Sequence, residues 1–588
     1  MLRQLALLLF ATALLASDVM ARPNVVIVIT DDQGYGDLSC HGNQVLKTPN
    51  IDALHAEAVR LTDYHVSPTC SPTRAALLTG HWTNRTGVWH TIMGRSMLRE
   101  NEVTVGQFFK DAGYATGMFG KWHLGDNYPC RPEDRGFTEV MRHGGGGVGQ
   151  TPDFWDNAYF DGSYFHNSKP EAVKGFCTDV WFDYAKRFIR EQKKADKPFL
   201  AYIATNAPHG PMHSPEESSK PYTKQGVGVA NFFGMIANID DNVGQFREFL
   251  DDEGLTDNTI FIFTTDNGTS SGDKVFNAGM RGRKGSEFDG GHRVPFFVHW
   301  PEGGLTGGRD VEPITAHVDV VPTLLDLCGI DSPEGVKFDG RSLKPLLTNA
   351  AQGWGERMLI TDSQRVKDPI KWRKSSVMTS RWRLVNGEQL FDMKADPGQK
   401  TNVASDHAEV VDRLRGFYDD WWEELTPTFK QDVAIALGHS AENPATLTCH
   451  DWITTGSTPW NQGHVRNAQT GANITGFWNV NVTKSGRYVI RIRRWPREAD
   501  AAIGQELPPG SDVPGVTPFR ARVGKPVPAV NASLTIGSKT WETDIDASSK
   551  EVKFEVDLKA GRTRLSSLFH TANGKTYGGY YAYVELMD

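Results

Sequence analysis

The chain predicts an α/β protein with a mostly parallel central sheet, followed by a small α+β region and an all-β end. Three observations predict it. Short apolar runs bounded by polar turn residues recur between residues 24 and 300, as buried parallel strands do. Helical patterns lie between those runs, which is the signature of a sheet with crossover helices. Beyond about residue 440 the apolar residues alternate with period two instead. At 588 residues the chain exceeds a single core, so two or three domains are expected.

The start, "MLRQLALLLFATALLASDVMARPN", carries a basic Arg3, an apolar stretch from Leu5 to Ala16 and small residues around Val19-Met20-Ala21. This is the pattern of a secretory signal peptide, placed at residues 1–21. The stretch is too short to span a bilayer comfortably. No later one reaches that length without charges or turn residues. A secreted or periplasmic protein without stable membrane insertion is therefore expected.

The strand candidates follow in order: "NVVIVIT" (Asn24–Thr30), "YATGMFG" (Tyr114–Gly120), "FLAYIAT" (Phe199–Thr205), "TIFIFTT" (Thr259–Thr265) and "RVPFFVHW" (Arg293–Trp300). Helical patterns include Thr104–Gly113 and Val180–Lys194, and a helix opened by Pro322 is expected within His317–Ile330. The segment Trp382–Ala404 and a helix through His407–Leu425 read as a small α+β subdomain. "GFWNVNVTKSGRYVIRIRRW" (Gly476–Trp495) alternates around a Lys-Ser-Gly turn, and the later segments continue in that style toward "YYAYVELM", as in a β sandwich. The expected division is 22–345 for the α/β domain, 346–430 for the α+β subdomain and 440–588 for the β-rich domain.

A net charge of −8 argues against a general nucleic-acid binder, while leaving room for a local basic pocket that takes a small anion. Six cysteines are sparse for an exported chain, and no CxxC or Cys/His zinc spacing appears. Setting Cys70 aside leaves five, so at most two disulfides can form among them.

In parallel sheets ligands bind at the carboxyl ends of the strands. Here four such ends carry chemistry. The first strand runs into Asp31-Asp32, the second into Lys121-Trp122-His123, the third toward His209 in "NAPHGP", and the fourth into Asp266-Asn267-Gly268. Asp, Asn and Gly also make ordinary turns. Two acidic pairs at neighbouring strand ends, however, offer hard oxygen ligands suited to Ca²⁺ or Mg²⁺. Lys121, His123, His209 and Lys284 beside such a cation would bind a tetrahedral oxyanion and supply acid–base groups.

Cys70, in "VSPTCSPTRAALLTG" (Val66–Gly80), sits at a predicted helix start that Ser71 can cap and whose first turn accepts Pro72. That helix end points N–H groups at the same anion, and Arg74 lies one turn on. On these grounds alone Cys70 is half of a disulfide, a thiol nucleophile or a residue to be modified.

"CSPTRAALLTG" resembles the activation motif of the type I, formylglycine-dependent sulfatases, the arylsulfatase family of the alkaline phosphatase superfamily. "PNVVIVITDDQGYGDLSCHGN", "GKWHLG", "NAPHGP", "TTDNG" and "RGRKGSEFDGGHRVP" resemble the family's other blocks in the same order, over about residues 22 to 430. The resemblance implies an alkaline phosphatase-like sandwich, with the β-rich end outside the family core. It implies that Cys70 is oxidised to formylglycine by a formylglycine-generating enzyme. One Ca²⁺ would be held by Asp31, Asp32, Asp266, Asn267 and an oxygen of residue 70. Arg74 would steady the hydrated aldehyde, Lys121 and Lys284 would bind sulfate oxygens, His209 would stand near the leaving group and His123 near the hydroxyls of residue 70. One hydroxyl would attack sulfur, and deprotonation of the other by His123 would release sulfate.

The implied activity is hydrolysis of a sulfate monoester, with a sulfated saccharide or an aryl sulfate as substrate. The competing readings are a phosphonate or phosphate monoester hydrolase of the same superfamily and a non-catalytic polysaccharide-binding relative. The family's extra hydroxyl donor after "GKWHLG" has no assignable counterpart in "RHGGGGVGQTPDFW". Trp478, Trp495, Tyr580 and Tyr581 are expected in a β core. Trp452 and Trp460, in the loop-like "HDWITTGSTPW", could instead touch sugar.

Overall fold

A computed structural model describes residues 22–332, 334–350, 354–468, 475–515 and 521–587. The expected signal peptide lies outside the described residues. The central sheet has ten strands: β1 (Asn24–Thr30), β2 (Val59–Leu61), β3 (Ala115–Gly120), β4 (Glu139–Arg142), β5 (Ser163–His166), β6 (Lys169–Ala172), β7 (Phe199–Ala204), β8 (Thr259–Thr265), β9 (Phe296–His299) and β10 (Asp310–Val311). Their order is β10-β2-β9-β8-β1-β7-β3-β4-β5-β6. The run β8-β1-β7-β3-β4 is parallel throughout. The four strands expected to carry chemistry are thus consecutive, and their carboxyl ends share one rim.

β1 shows why this sheet is covered on both faces. Val25, Ile27 and Ile29 point into one core with Leu77 and Leu78, while Val26 and Val28 point into another with Trp181 and Phe182. A five-residue apolar run with period-two side chains can bury completely only between two layers. One layer includes α1 (Cys70–Thr79); the other includes α2 (Cys177–Lys194) and α3 (Val227–Asp252).

The strand in Arg293–Trp300 departs from the parallel expectation. β9 runs antiparallel to β8, because a long loop with just a 3₁₀ turn (Gly272–Lys274) and a four-residue helix (Asp289–His292) joins them, and a parallel return needs a crossover. Pro322 does not open its helix: a 3₁₀ turn at His317–Asp319 leads into Val320–Leu327, and the proline falls in the first turn, where no N–H is missed.

A second sheet, β11 (Leu359–Asp362), β12 (Ser375–Met378), β13 (Trp382–Val385) and β14 (Gln389–Asp392), is an antiparallel meander. It packs on α4 (Ala408–Leu425) through Val411, Leu414, Tyr418 and Trp421.

The remaining strands are β15 (Ile435–Leu437), β16 (Ala445–Thr448), β17 (Trp478–Val482), β18 (Gly486–Arg493), β19 (Ala529–Ile536), β20 (Lys539–Asp544), β21 (Val552–Leu558), β22 (Gly561–Thr571), β23 (Thr576–Gly578) and β24 (Tyr581–Leu586). They form two sheets, β15-β17-β22-β19-β20 with β23 beside β22, and β16-β24-β18-β21. The Lys-Ser-Gly turn sends β17 and β18 into different sheets rather than into a hairpin. Trp478, Trp495, Tyr580 and Tyr581 are buried in the core between them, as expected. Trp452 is buried there too, against Trp478 and Tyr580, so it is unavailable to sugar. All six cysteines are free thiols. Among the described residues no helix is long and apolar enough to cross a membrane.

Candidate active site

The ten residues singled out from sequence converge on the β8-β1-β7-β3 rim. Asp31 and Asp32 leave β1, and Asp266 and Asn267 leave β8 in register with it. The Asp32 N–H donates to Asp266 Oδ1 at 3.1 Å, and Asn267 Nδ2 donates to Asp32 Oδ1 at 3.0 Å. Oxygens of Asp31 and Asp266 and the sulfur of Cys70 lie within 4.8 Å of one another. Asp31 Oδ1 and Asn267 Oδ1 are buried without a hydrogen-bond partner. Buried oxygens are rarely left unpaired, and acceptor-only oxygens crowded together suit a hard cation.

Three cations and one histidine surround this group. Lys121 Nζ meets Asp31 Oδ2 at 2.5 Å, both fully buried. Lys284 forms an ion pair with Asp32 Oδ1. Arg74 donates to Asp266 Oδ2 from Nε (3.0 Å) and Nη2 (2.8 Å), and from Nη1 to the Lys121 carbonyl (3.0 Å). Its guanidinium is thus engaged with a carboxylate and a strand end, and it also interacts electrostatically with Cys70. His209 Nε2 stands 4.0 Å from Asp32 Oδ2.

Charge at the site follows from burial and partners. Burial works to raise the Asp32 pKa, but Lys284, His209 and Lys121 outweigh it and hold the carboxylate ionised. Asp266 is pushed up to about 6 by burial and by the Asp31 charge, against Arg74. Burial also raises the Cys70 thiol, so an unmodified Cys70 is a poor thiolate. His209 is lowered to about 4 by burial and by the Lys284 ammonium, and His123 is lowered further by burial and Lys121.

Both histidines are oriented by carbonyls. His123 Nε2 donates to Thr91 O at 2.8 Å, which leaves Nδ1 as an acceptor 3.5 Å from Cys70 Sγ. His209 Nδ1 donates to Gly210 O at 2.7 Å, leaving Nε2 toward Asp32. Asp32 (φ 68°) and His123 (φ 62°) both occupy the left-handed region, a conformation that side chains adopt where surroundings enforce it.

Cys70 is the first residue of α1, but Ser71 does not cap it. Thr69 is the flanking residue, and Ser71 Oγ donates to the His123 carbonyl at 2.6 Å instead. The serine is spent on holding the strained histidine.

Several neighbours escaped the sequence reading. The glycine run after β4 lies directly on the histidines: a Cβ at Gly146 would come within 2.2 Å of the His123 ring, and one at Gly147 within 3.4 Å of the His209 ring. Gln150 Oε1 accepts from Gly146 N at 2.8 Å and lies 3.2 Å from His450 Nε2, so the turn just after β16 helps hold the loop. Four consecutive glycines were the available signal, since side-chain-free backbone marks a close approach.

The chain has known relatives. A family model described as "Sulfatase" matches residues 23–330, and one for the N-sulphoglucosamine sulphohydrolase C-terminal region matches 284–417. Human arylsulfatase A is 33% identical over 506 residues, covering 75% of this chain and 96% of that protein. The chain belongs to the sulfatase family. This sulfatase is also 31% identical over 373 residues to dog N-acetylgalactosamine-6-sulfatase, covering 58% of this chain and 69% of that one. The solved structure of Ps i-CgsB in complex with k-i-k-neocarrahexaose superposes with a TM-score of 0.63 at 25% identity, covering 68% of this chain and 93% of that one. The sulfatase is accordingly a sulfuric ester hydrolase.

Proposed function

We propose that this exported sulfatase releases inorganic sulfate from a sulfated carbohydrate, using one Ca²⁺ and a formylglycine made from Cys70. The observation that carries the reading is the pair of orphaned buried oxygens, Asp31 Oδ1 and Asn267 Oδ1, beside the Asp31, Asp266 and Cys70 cluster to which Asp32 is hydrogen-bonded. The donor set is all hard oxygen apart from the sulfur, which suits Ca²⁺ once position 70 offers oxygen. Formylglycine and Ca²⁺ would together supply a hydrated-aldehyde hydroxyl as nucleophile and positive charge for the sulfuryl oxygens.

The chain's own residues do the rest. Asp31, Asp32, Asp266 and Asn267 hold the cation, and Arg74 fixes Asp266. Lys121 and Lys284, whose ammonium groups already face the site, bind sulfate oxygens and stabilise charge that develops there. His123, with Nδ1 toward residue 70, accepts a proton from that residue. His209 faces the leaving oxygen; an anionic sulfate beside it raises its proton affinity, and Lys284 shares the task of protonating the alcohol. N-acetylgalactosamine-6-sulfatase and the carrahexaose-bound Ps i-CgsB support a carbohydrate substrate. Residues 22–345, 346–430 and 440–588 serve as catalytic domain, subdomain and accessory domain.

The test is chemical. Made beside a formylglycine-generating enzyme, the peptide bearing position 70 has the mass of the aldehyde, and Cys70→Ala keeps its fold and loses sulfate release. Full turnover by a protein with an intact thiol would sink the mechanism. Faster hydrolysis of an aryl phosphonate than of the matched aryl sulfate would favour the phosphonate reading.

A further inference from the structure

We infer that the alcohol released by this enzyme belongs to an oligosaccharide, and that a sugar beyond the sulfated ring binds in a cleft built jointly by the catalytic loops and the segment Trp460–Asn467. The inference rests on the sulfated-carbohydrate reading above. A cavity of about 590 Å³ opens beside His209. Its inner wall includes Gln150 and Asp156 and its outer wall includes Trp460, His464, Asn467 and Arg522. The size falls in the roughly 300–1,000 Å³ range of sites that enclose a drug-sized ligand, well beyond what a small alcohol fills.

The position is on the leaving-group side, because His209 is the active-site residue that lines it. The chemistry suits sugar. Trp460 is half-buried, and its ring meets the His464 ring at 5.3 Å and 88°, so two aromatic faces form a corner. An aromatic face takes the apolar C–H side of a pyranose, while nearby polar groups take its hydroxyls. Arg522 is exposed and forms no ion pair among the described residues, in contrast to Arg466, which is tied to Asp156 at 2.5 Å and to Pro508 O at 3.0 Å. Arg522 therefore offers a free cation to a sulfate or carboxylate on the neighbouring sugar.

The cleft is preformed. Gln150 and Asn461 pair as a β-bridge, and Thr151 N donates to Trp460 O at 3.0 Å. Gln462 Nε2 lies within hydrogen-bond reach of the carbonyls of Gln150 (3.1 Å), Asp153 (3.2 Å) and Phe154 (3.1 Å), while its Oε1 accepts from Asp156 N at 2.9 Å. The Gln150–Asp156 wall and the Trp460–Gln462 stretch are thus held to each other. The outer wall also lies beyond residue 417, where both family-model matches have ended.

Initial rates of sulfate release test this on the full-length, modified enzyme. The substrates are sulfated monosaccharides and hexasaccharides of the carrageenan, chondroitin sulfate and heparin series, with 4-methylumbelliferyl sulfate alongside. In the series the enzyme accepts, kcat/KM is expected to be at least tenfold higher for the hexasaccharide than for the monosaccharide. Trp460→Ala should remove most of that ratio, chiefly through KM, and Arg522→Gln, at an exposed position, should lower it severalfold. A ratio near one overturns the inference, as does a ratio that survives both variants, or turnover of the aryl sulfate with none of the saccharides. Absence of sulfate release from every substrate, the aryl ester included, instead strikes the sulfatase reading and takes the inference with it.

Discussion

His123 shows how much of this site depends on single atoms. Its ring is held between the Thr91 carbonyl, the Cys70 sulfur and the bare Cα of Gly146, and its carbonyl is held by Ser71. Gly146→Ala puts a methyl group 2.2 Å from the imidazole, so either the ring or the loop must move. A displacement on the order of 1 Å from the reacting atoms can cost about 10²-fold in rate. We expect a loss of kcat of that order with a small change in melting temperature. Gly147→Ala, whose methyl would rest at 3.4 Å from His209, should cost less. Steady-state kinetics of the two variants check this; equal activities would mean that the loop yields freely.

At the scale of elements, Arg383 couples the second sheet to the active-site loops. It projects from β13, donating from Nε to Asp289 Oδ1 at 3.0 Å and from Nη2 to Asp63 Oδ1 at 2.8 Å, with guanidinium and Asp289 both buried. Asp289 closes the loop that bears Lys284. Removing one partner of a buried pair leaves the other charge uncompensated, at about 3–5 kcal/mol. Arg383→Met is therefore expected to destabilise the protein by that amount in urea unfolding and to weaken sulfate binding through Lys284. An unchanged urea midpoint would contradict the coupling. This link was invisible in the sequence, because residues 63, 289 and 383 meet only in three dimensions. The strands β1 and β8 were legible to the residue, since each has an apolar run closed by a pair of oxygen-bearing residues, Asp31-Asp32 or Asp266-Asn267. Asp31, Asp32, Lys121, His123, His209, Asp266 and Asn267 were legible because each follows a strand end, whereas Cys70, Arg74 and Lys284, on a helix and a loop, were legible only through the motifs around them. β9's direction was not, because an apolar run records burial and not orientation. Nor was the difference between Trp452 and Trp460: the same loop-like stretch puts one in a core and the other on a cleft, a distinction made by the chain folding over it.

Across the whole molecule, the response to acid follows from two opposing sets of buried groups. Burial lowers His90, His143, His292 and His317 to about 3, and His41 and His213 to about 4. Unfolding frees them to take protons below about pH 6.5, so their contribution to stability falls as pH falls. Burial raises Asp37 and Asp153 to about 7, and Asp240 and Asp362 to about 6. The folded state then binds the extra protons, and this contribution grows as pH falls from about 7 toward the ordinary carboxyl range near 4. His81, raised by Glu102 against the effect of burial, acts in the same sense. Between about pH 7 and pH 5 the two sets offset each other. Below about pH 4 the raised carboxyls are protonated in both states and cease to matter, while the neutral histidines still resist charging. Asp63, which Arg383 and His65 hold below its ordinary value against burial, adds to the loss there. Melting temperature in chelator-containing buffer should thus change little from pH 7 to pH 5 and drop steeply below about pH 4. A steady decline beginning at pH 6.5 would show that the buried carboxyls are ionised in the folded protein, and stability maintained to pH 3 would show that the histidines reach water.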